Sequence, residues 1–116
     1  MEQHSHLNLV RDVFFIKNGQ TLHRLYLQEV QWISGEGNYT TFITSSRKFV
    51  VKISLKKTQR LLPEAFFVRV HRNYIVQLSK VSKIDTSNNL IFIDSQMLPM
   101  GRTYREEVLK KVVLID

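Results

Sequence analysis

Three short stretches gather hydrogen-bonding side chains at turn-like positions: "GEGNY" at 35–39, "VHRNY" at 70–74 and "GRTYR" at 101–105. They offer Asn38 and Tyr39, then His71, Arg72 and Asn73, then Arg102, Thr103 and Arg105. The chemistry these residue types share is recognition of nucleic acid. Arg spans guanine O6 and N7, Asn spans adenine N6 and N7, and Lys or Arg holds phosphate. One loop arginine is ordinarily just solvated. Three such loops in one small basic domain make coincidence a poor account.

Other chemistries have less support. The chain has four histidines, His4, His6, His23 and His71, and no cysteine. Beyond His4-x-His6 they show no metal-ligand spacing, and a thiolate site or cysteine nucleophile is excluded. No serine elbow or carboxylate pair stands out, so no catalytic residue, metal or cofactor is expected. "SGEGNY" has no helix after it and is not a phosphate-cradling loop. It reads as a tight turn with a glycine at positive φ. Glu106 and Glu107 would repel an anion from the helix that follows "GRTYR", so anion or base contact there falls to Arg102 and Arg105.

The charge distribution supports an anionic partner. The net charge is +7 over 116 residues, and between Arg47 and Lys83 ten Lys or Arg face a single acid, Glu64. Elsewhere seven basic and nine acidic residues nearly balance, so the basicity belongs to the middle of the chain. The N-terminus lacks a basic segment followed by an apolar one, and no apolar run nears the roughly 20 residues that span a bilayer. A cytoplasmic domain without a membrane partner is expected.

The elements that must position these loops read as mainly β. Residues 1–11 look like a flexible arm, and 12–116 like one domain. "VFFIKNGQTLHRLYL" is a hairpin around Asn18-Gly19, with the signal of a type I′ turn. "VQWISGEGNYTTFIT" gives two strands, and in "FVVKI" Phe49, Val51 and Ile53 alternate with Val50 and Lys52. Ser54 can cap a short helix "LKKTQRLL" with Leu55, Leu61 and Leu62 on one side. Further strands read at "FVRV", "KVSKID", "LIFID" and "MLPM". In "FVRVHRNYIV" the apolar Phe67, Val68, Val70, Ile75 and Val76 would anchor the polar cluster between them. The tail "TYREEVLKKVVLI" reads as a helix with a Thr103–Glu106 capping box, Tyr104, Val108, Val112 and Ile115 on one face, and pairs from Glu106 to Lys110 and Glu107 to Lys111.

In this order the three loops resemble the LytTR-type DNA-binding domain of bacterial transcription regulators. "QWISGEGNY" at 31–39 is similar to its Y-I-E-A-x-G-N-Y stretch, "FVRVHRNYIVQ" at 67–77 to F-x-R-V-H-R-S-Y-I-V-N, and "PMGRTY" at 99–104 to P-V-S-R-R-Y. "VKISLKKTQRLLPEAF" resembles the family's strand-then-helix segment, and the likeness runs over about residues 12–113.

The resemblance implies an elongated, mainly β fold of about ten short strands in three sheets, with one short internal helix and a C-terminal helix. It implies sequence-specific binding of double-stranded DNA at promoter repeats, with loops rather than a recognition helix entering successive major grooves. Base contacts would come from Asn38 and Tyr39, from Arg72 with His71, and from Arg102 or Thr103. Phosphate contacts would come from Lys48, Lys52, Asn73, Lys80 and Arg105. Two copies on adjacent half-sites, and a receiver domain or sensor-kinase pathway upstream, belong to the same expectation. The chain would then be a stand-alone regulator or the C-terminal part of a longer one.

Departures from the family pattern are Ser34 for Glu, Asn73 for Ser, Gly101 for Ser and Thr103 for Arg. The rival readings are an RNA-binding β-domain, which would need a platform of exposed aromatics, and a basic module docking an acidic protein.

Overall fold

The computed structural model describes residues 12–116; the expected arm at 1–11, with His4 and His6, lies outside the described residues. Among the described residues ten strands form three antiparallel sheets. Strands β1 (Val13–Asn18) and β2 (Thr21–Tyr26) make a separate hairpin. Asn18 pairs with Thr21, so the turn is Gly19-Gln20. Among its residues only Gly19 has positive φ, at 64°. That is the sign pattern of a type II′ turn and corrects the expected type I′. Glycine at the first central position takes the left-handed conformation alone, and Asn18 stays in the ladder.

The second sheet has the order β5-β4-β3-β7-β6. Its strands are β3 (Trp32–Glu36), β4 (Tyr39–Ile43), β5 (Lys48–Val51), β6 (Phe67–His71) and β7 (Tyr74–Gln77). The third, β10-β9-β8, uses β8 (Lys83–Asp85), β9 (Leu90–Ile93) and β10 (Gln96–Pro99). The five-stranded sheet is covered on both faces, and strand alternation divides its side chains. Ile33, Phe42, Phe67 and Ile75 pack with Leu25, Leu27, Leu55 and Leu62 on one face. Val68, Val70 and Val76 pack with Ile91, Ile93, Leu98, Met100 and Val108 on the other. The five residues expected to anchor the central cluster are all buried. The body measures 47 Å along its longest extent and 25 Å along its thinnest.

Helix α1 (Leu55–Leu61) starts as its sequence implies, with the Ser54 hydroxyl accepting from Lys57 N at 3.1 Å. Its buried face is Leu55, Thr58 and Leu62, whereas Leu61 is 60% exposed. At 3.6 residues per turn, Leu61 lies about a third of a turn off the face that Leu55 sets, which corrects its expected burial. The helix packs tightly on β3. A Cβ added at Gly35 would lie 2.7 Å from Leu55 Cβ. Gly35→Ala should therefore destabilise the domain by about 1–3 kcal/mol through overpacking, read as a lower urea midpoint at unchanged slope. An unchanged midpoint would mean that α1 moves aside freely.

The C-terminal helix differs more from its expected form. A 3-10 turn at Arg102–Tyr104 runs directly into α2 (Arg105–Lys110), with Tyr104 at the N-cap and no side-chain cap. Thr103 is thus inside the turn, where its hydroxyl cannot cap the helix, and the capping box does not form. The helix ends before the run Val112-Val113-Leu114-Ile115, three of whose four residues are β-branched and poor helix formers. Val113, Leu114 and Ile115 are exposed, while Val108 packs in the core. Of the two expected ion pairs neither forms. Glu107 instead meets Lys110 at 3.8 Å, and Lys111 Nζ donates to Glu64 O at 2.5 Å.

Candidate nucleic-acid interface

The antiparallel registers bring the first two loops to the same end of the five-stranded sheet. At the β3–β4 tip Glu36 pairs with Tyr39, leaving Gly37 (φ 61°) and Asn38 as the turn. The tight glycine turn read from the sequence is therefore present. At the β6–β7 tip His71 pairs with Tyr74, and Arg72 and Asn73 form the turn. A β-bulge between Arg69 and His71 re-aims this tip. Gly35 N donates to Asn73 O at 2.9 Å, and Asn73 Nδ2 donates to Gly35 O at 3.0 Å. The two tips are thereby held together by a reciprocal pair of bonds.

The third loop is fastened to the same place. Gly101 N donates to Val70 O at 2.8 Å, and a Cβ at Gly101 would meet the Tyr104 ring at 3.1 Å and the Cα of His71 at 3.7 Å. The rings of His71 and Tyr74 lie 5.4 Å apart. The approach to His71 leaves ordinary van der Waals room for a Cβ, and the tight neighbour of residue 101 is the Tyr104 ring of its own loop.

Asn38, Tyr39, Arg72, Arg102 and Thr103 are exposed at this end, and among the described residues no side-chain hydrogen bond occupies them. Lys52 follows Val51, which pairs with Thr40, and so stands beside the first tip. Lys48 does not join the group. It pairs with Ile43, four residues along β4 from Tyr39, a separation of roughly 13 Å at the usual strand rise. Lys80, in a 3-10 turn after β7, also lies at the far end. Two further expected phosphate ligands are engaged internally. Asn73 holds Gly35, and Arg105 Nη1 donates to Thr86 O at 2.6 Å and Asn89 Oδ1 at 2.5 Å. These two are supports of the loops as the structure stands.

His71 is half-buried, and its Nδ1 accepts the Asn73 backbone N–H at 3.0 Å. Burial lowers its pKa, helped by the positive charges of Arg72 and Arg69. The neutral ring therefore belongs to the folded tip, because a protonated Nδ1 could not accept. Below the ordinary histidine range the unfolded chain takes up this proton first, so stability is lost as pH falls from about 6.5 through the folded pKa. His71→Gln should flatten the dependence of the urea midpoint on pH between about 7.5 and 5.5. An equal slope in both proteins would contradict this placement of the proton.

Sequence reasoning missed one residue that the geometry makes prominent. Arg69 lies between the buried Val68 and Val70, and its guanidinium bonds both the β6–β7 turn and α1. A lone charge at a half-buried strand position within an apolar run was the available signal. Among the described residues no group of three His, Asp or Glu side chains could share a metal ion, and no helix is long and apolar enough to cross a membrane.

Comparison with known proteins adds four findings. A family model described as the LytTr DNA-binding domain matches residues 20–112. The heme-containing CO-sensing transcriptional regulator RcoM 2 of Paraburkholderia xenovorans is 30% identical over 92 residues, covering 75% of this chain and 34% of that protein. The sensory transduction protein LytT of Bacillus subtilis is 26% identical, covering 98% of this chain and 48% of its own length. The chain thus spans about a third to a half of these relatives. A solved LytTr DNA-binding domain from Bacillus cereus superposes with a TM-score of 0.73 at 23% identity, covering 86% of this chain and 95% of that one. This last likeness speaks for the fold.

Proposed function

The chain belongs to the LytTR family of DNA-binding domains, a family of binding modules and not of enzymes, and on that premise we propose that it reads duplex DNA sequence-specifically by inserting three loops into successive major grooves. The observation that carries this reading is the convergence of the three loops at one end of a sheet, cross-bonded through Gly35–Asn73 and Gly101–Val70. Arg72 and Arg102 present unengaged guanidinium forks suited to guanine, and Asn38 an amide suited to adenine. Tyr39, His71 and Thr103 flank them. Lys52 holds phosphate beside the first loop, and Lys48 and Lys80 act farther along the duplex backbone.

The role is regulation of transcription, with two copies on repeated half-sites. An input domain upstream, of the receiver or sensor kind, accords with relatives two to three times as long as this chain, one of them called a sensory transduction protein. The exposed aromatics argue against a stacking platform for single-stranded RNA. Phe15 and Tyr26 share a face of the β1–β2 hairpin, where the Arg24 guanidinium lies over the Tyr26 ring, while Tyr39 starts β4 and Phe66 precedes β6, so no one sheet face gathers them.

Selection from a random duplex library at about 150 mM salt tests the proposal. An enriched motif bound on the order of 10³-fold above random DNA is expected. The salt slope of each pool then counts phosphate contacts at roughly 0.9 each. No enrichment, with equal salt dependence for every pool, would reduce the basic surface to an indiscriminate anion binder.

A further inference from the structure

Arg69 uses one guanidinium to join three elements. Its Nε donates to His71 O at 3.2 Å, Nη2 to Arg72 O at 2.5 Å, and Nη1 to Gln59 Oε1 at 3.0 Å. Its charged carbon lies 5.8 Å from the centre of the Tyr104 ring. These partners belong to the β6–β7 turn, to α1 and to the third loop. The acceptors are carbonyl and amide oxygens and not carboxylates.

We propose that Arg69 is a positioning residue for sequence reading: it clamps the carbonyls of His71 and Arg72 against α1 and Tyr104, so that the Arg72 side chain and the third loop face the duplex in one fixed relation. This rests on the DNA-reading function proposed above. The physical reason is the shape of the guanidinium. Its planar fork supplies five N–H donors in fixed directions, whereas an ammonium of equal charge cannot meet three separated acceptors and a ring face together. Turned inward on the carbonyls of residues 71 and 72, the fork restrains the backbone that carries Arg72. That restraint lowers the conformational entropy lost when Arg72 settles on a base.

The alternative role for a cation here is direct attraction of phosphate, and two substitutions separate the two roles. Arg69→Lys keeps the charge and loses the clamp, while Arg69→Gln loses both. Positioning predicts that Arg69→Lys lowers the ratio of selected-site to random-DNA affinity about ten-fold, with the salt slope on random DNA unchanged. A direct phosphate contact predicts that Arg69→Lys keeps the ratio and that Arg69→Gln reduces the slope by about 0.9; that pattern would overturn the proposal.

A readout without DNA accompanies these. Backbone order parameters at Arg72, Asn73 and Arg102 should fall from the rigid range near about 0.85 in Arg69→Lys. Unchanged order at those residues would also overturn it. If wild-type protein enriches no sequence, the DNA reading fails, and the order parameters still decide whether Arg69 holds the loops. Should Arg69→Lys not fold by circular dichroism, Gln59→Ala and Tyr104→Leu each remove one outer anchor. Each is expected to lower the affinity ratio about two-fold to three-fold, and no change in either would end the proposal.

Discussion

Arg72→Ala is expected to weaken binding to the selected duplex by about 1–3 kcal/mol and to relax base preference at one position of the site. Arg72 sits at the tip of a turn whose backbone is held from both sides, by the Arg69 guanidinium donating to its own carbonyl and by Gly35 N donating to Asn73 O. Its guanidinium has no bond within the described residues. A truncation there would remove the proposed contact to DNA and leave the fold's own hydrogen bonds intact. The melting temperature should stay near the wild-type value while specificity falls. Lys52→Ala gives the contrasting pattern, a uniform weakening across sequences with a salt slope smaller by about 0.9. Parallel titrations of both variants on selected and random duplexes would measure this. Full base preference retained in Arg72→Ala would remove Arg72 from the reading set.

The largest expected effect on stability lies elsewhere, at Gln77. This side chain is buried, and its amide Nε2 faces three carbonyls, Leu27 O at 3.1 Å, Gln28 O at 3.3 Å and Val30 O at 2.7 Å. It ties the end of β7 to the 3-10 turn that links the β1–β2 hairpin to β3. Gln77→Ala would leave those carbonyls short of a donor in the interior and open a cavity beside Val30. Together these should cost about 3 kcal/mol, a large share of the roughly 5–15 kcal/mol that stabilises a small domain. Gln77→Glu should be at least as harmful, because a carboxylate would face three oxygens without a donor. Urea unfolding followed by tryptophan fluorescence would report it. A loss below about 1 kcal/mol would mean that water replaces the amide.

Much of this architecture was legible in the sequence, because alternation and turn chemistry are local. Phe67, Val68, Val70, Ile75 and Val76 announced the central hairpin and are all buried; Ser54 announced a helix start and caps it. The strand at 48–51 keeps Val50 outward, as its pattern required. What failed was decided by register or by tertiary packing. The turn after Asn18 changed class because Asn18 pairs with Thr21, a one-residue difference that composition does not encode. The C-terminal helix stopped early because Val113, Leu114 and Ile115 bury no apolar face among the described residues, which no periodicity reveals.

The loop residues at the site were legible as types, through Arg, Asn and His beside turns. Which of them also bond within the fold was not. Asn73 and Arg105, expected from the sequence as phosphate ligands, also bond Gly35 and the 86–89 turn within the fold. Arg69 shows the reverse case. In one dimension it is one of several polar residues interrupting an apolar run, and only the fold brings the carbonyls of residues 71 and 72 onto its guanidinium.

Dimethyl sulfate protection on the selected duplex is the most direct measurement of groove reading by these loops, because the reagent methylates guanine N7 in the major groove. Wild-type protein should protect guanines in clusters about one helical turn apart, roughly 10 base pairs, along one face of the duplex. Arg72→Ala should lose one cluster and keep the others. Tight, specific binding without N7 protection, or with protection of minor-groove adenine N3 alone, would contradict the account.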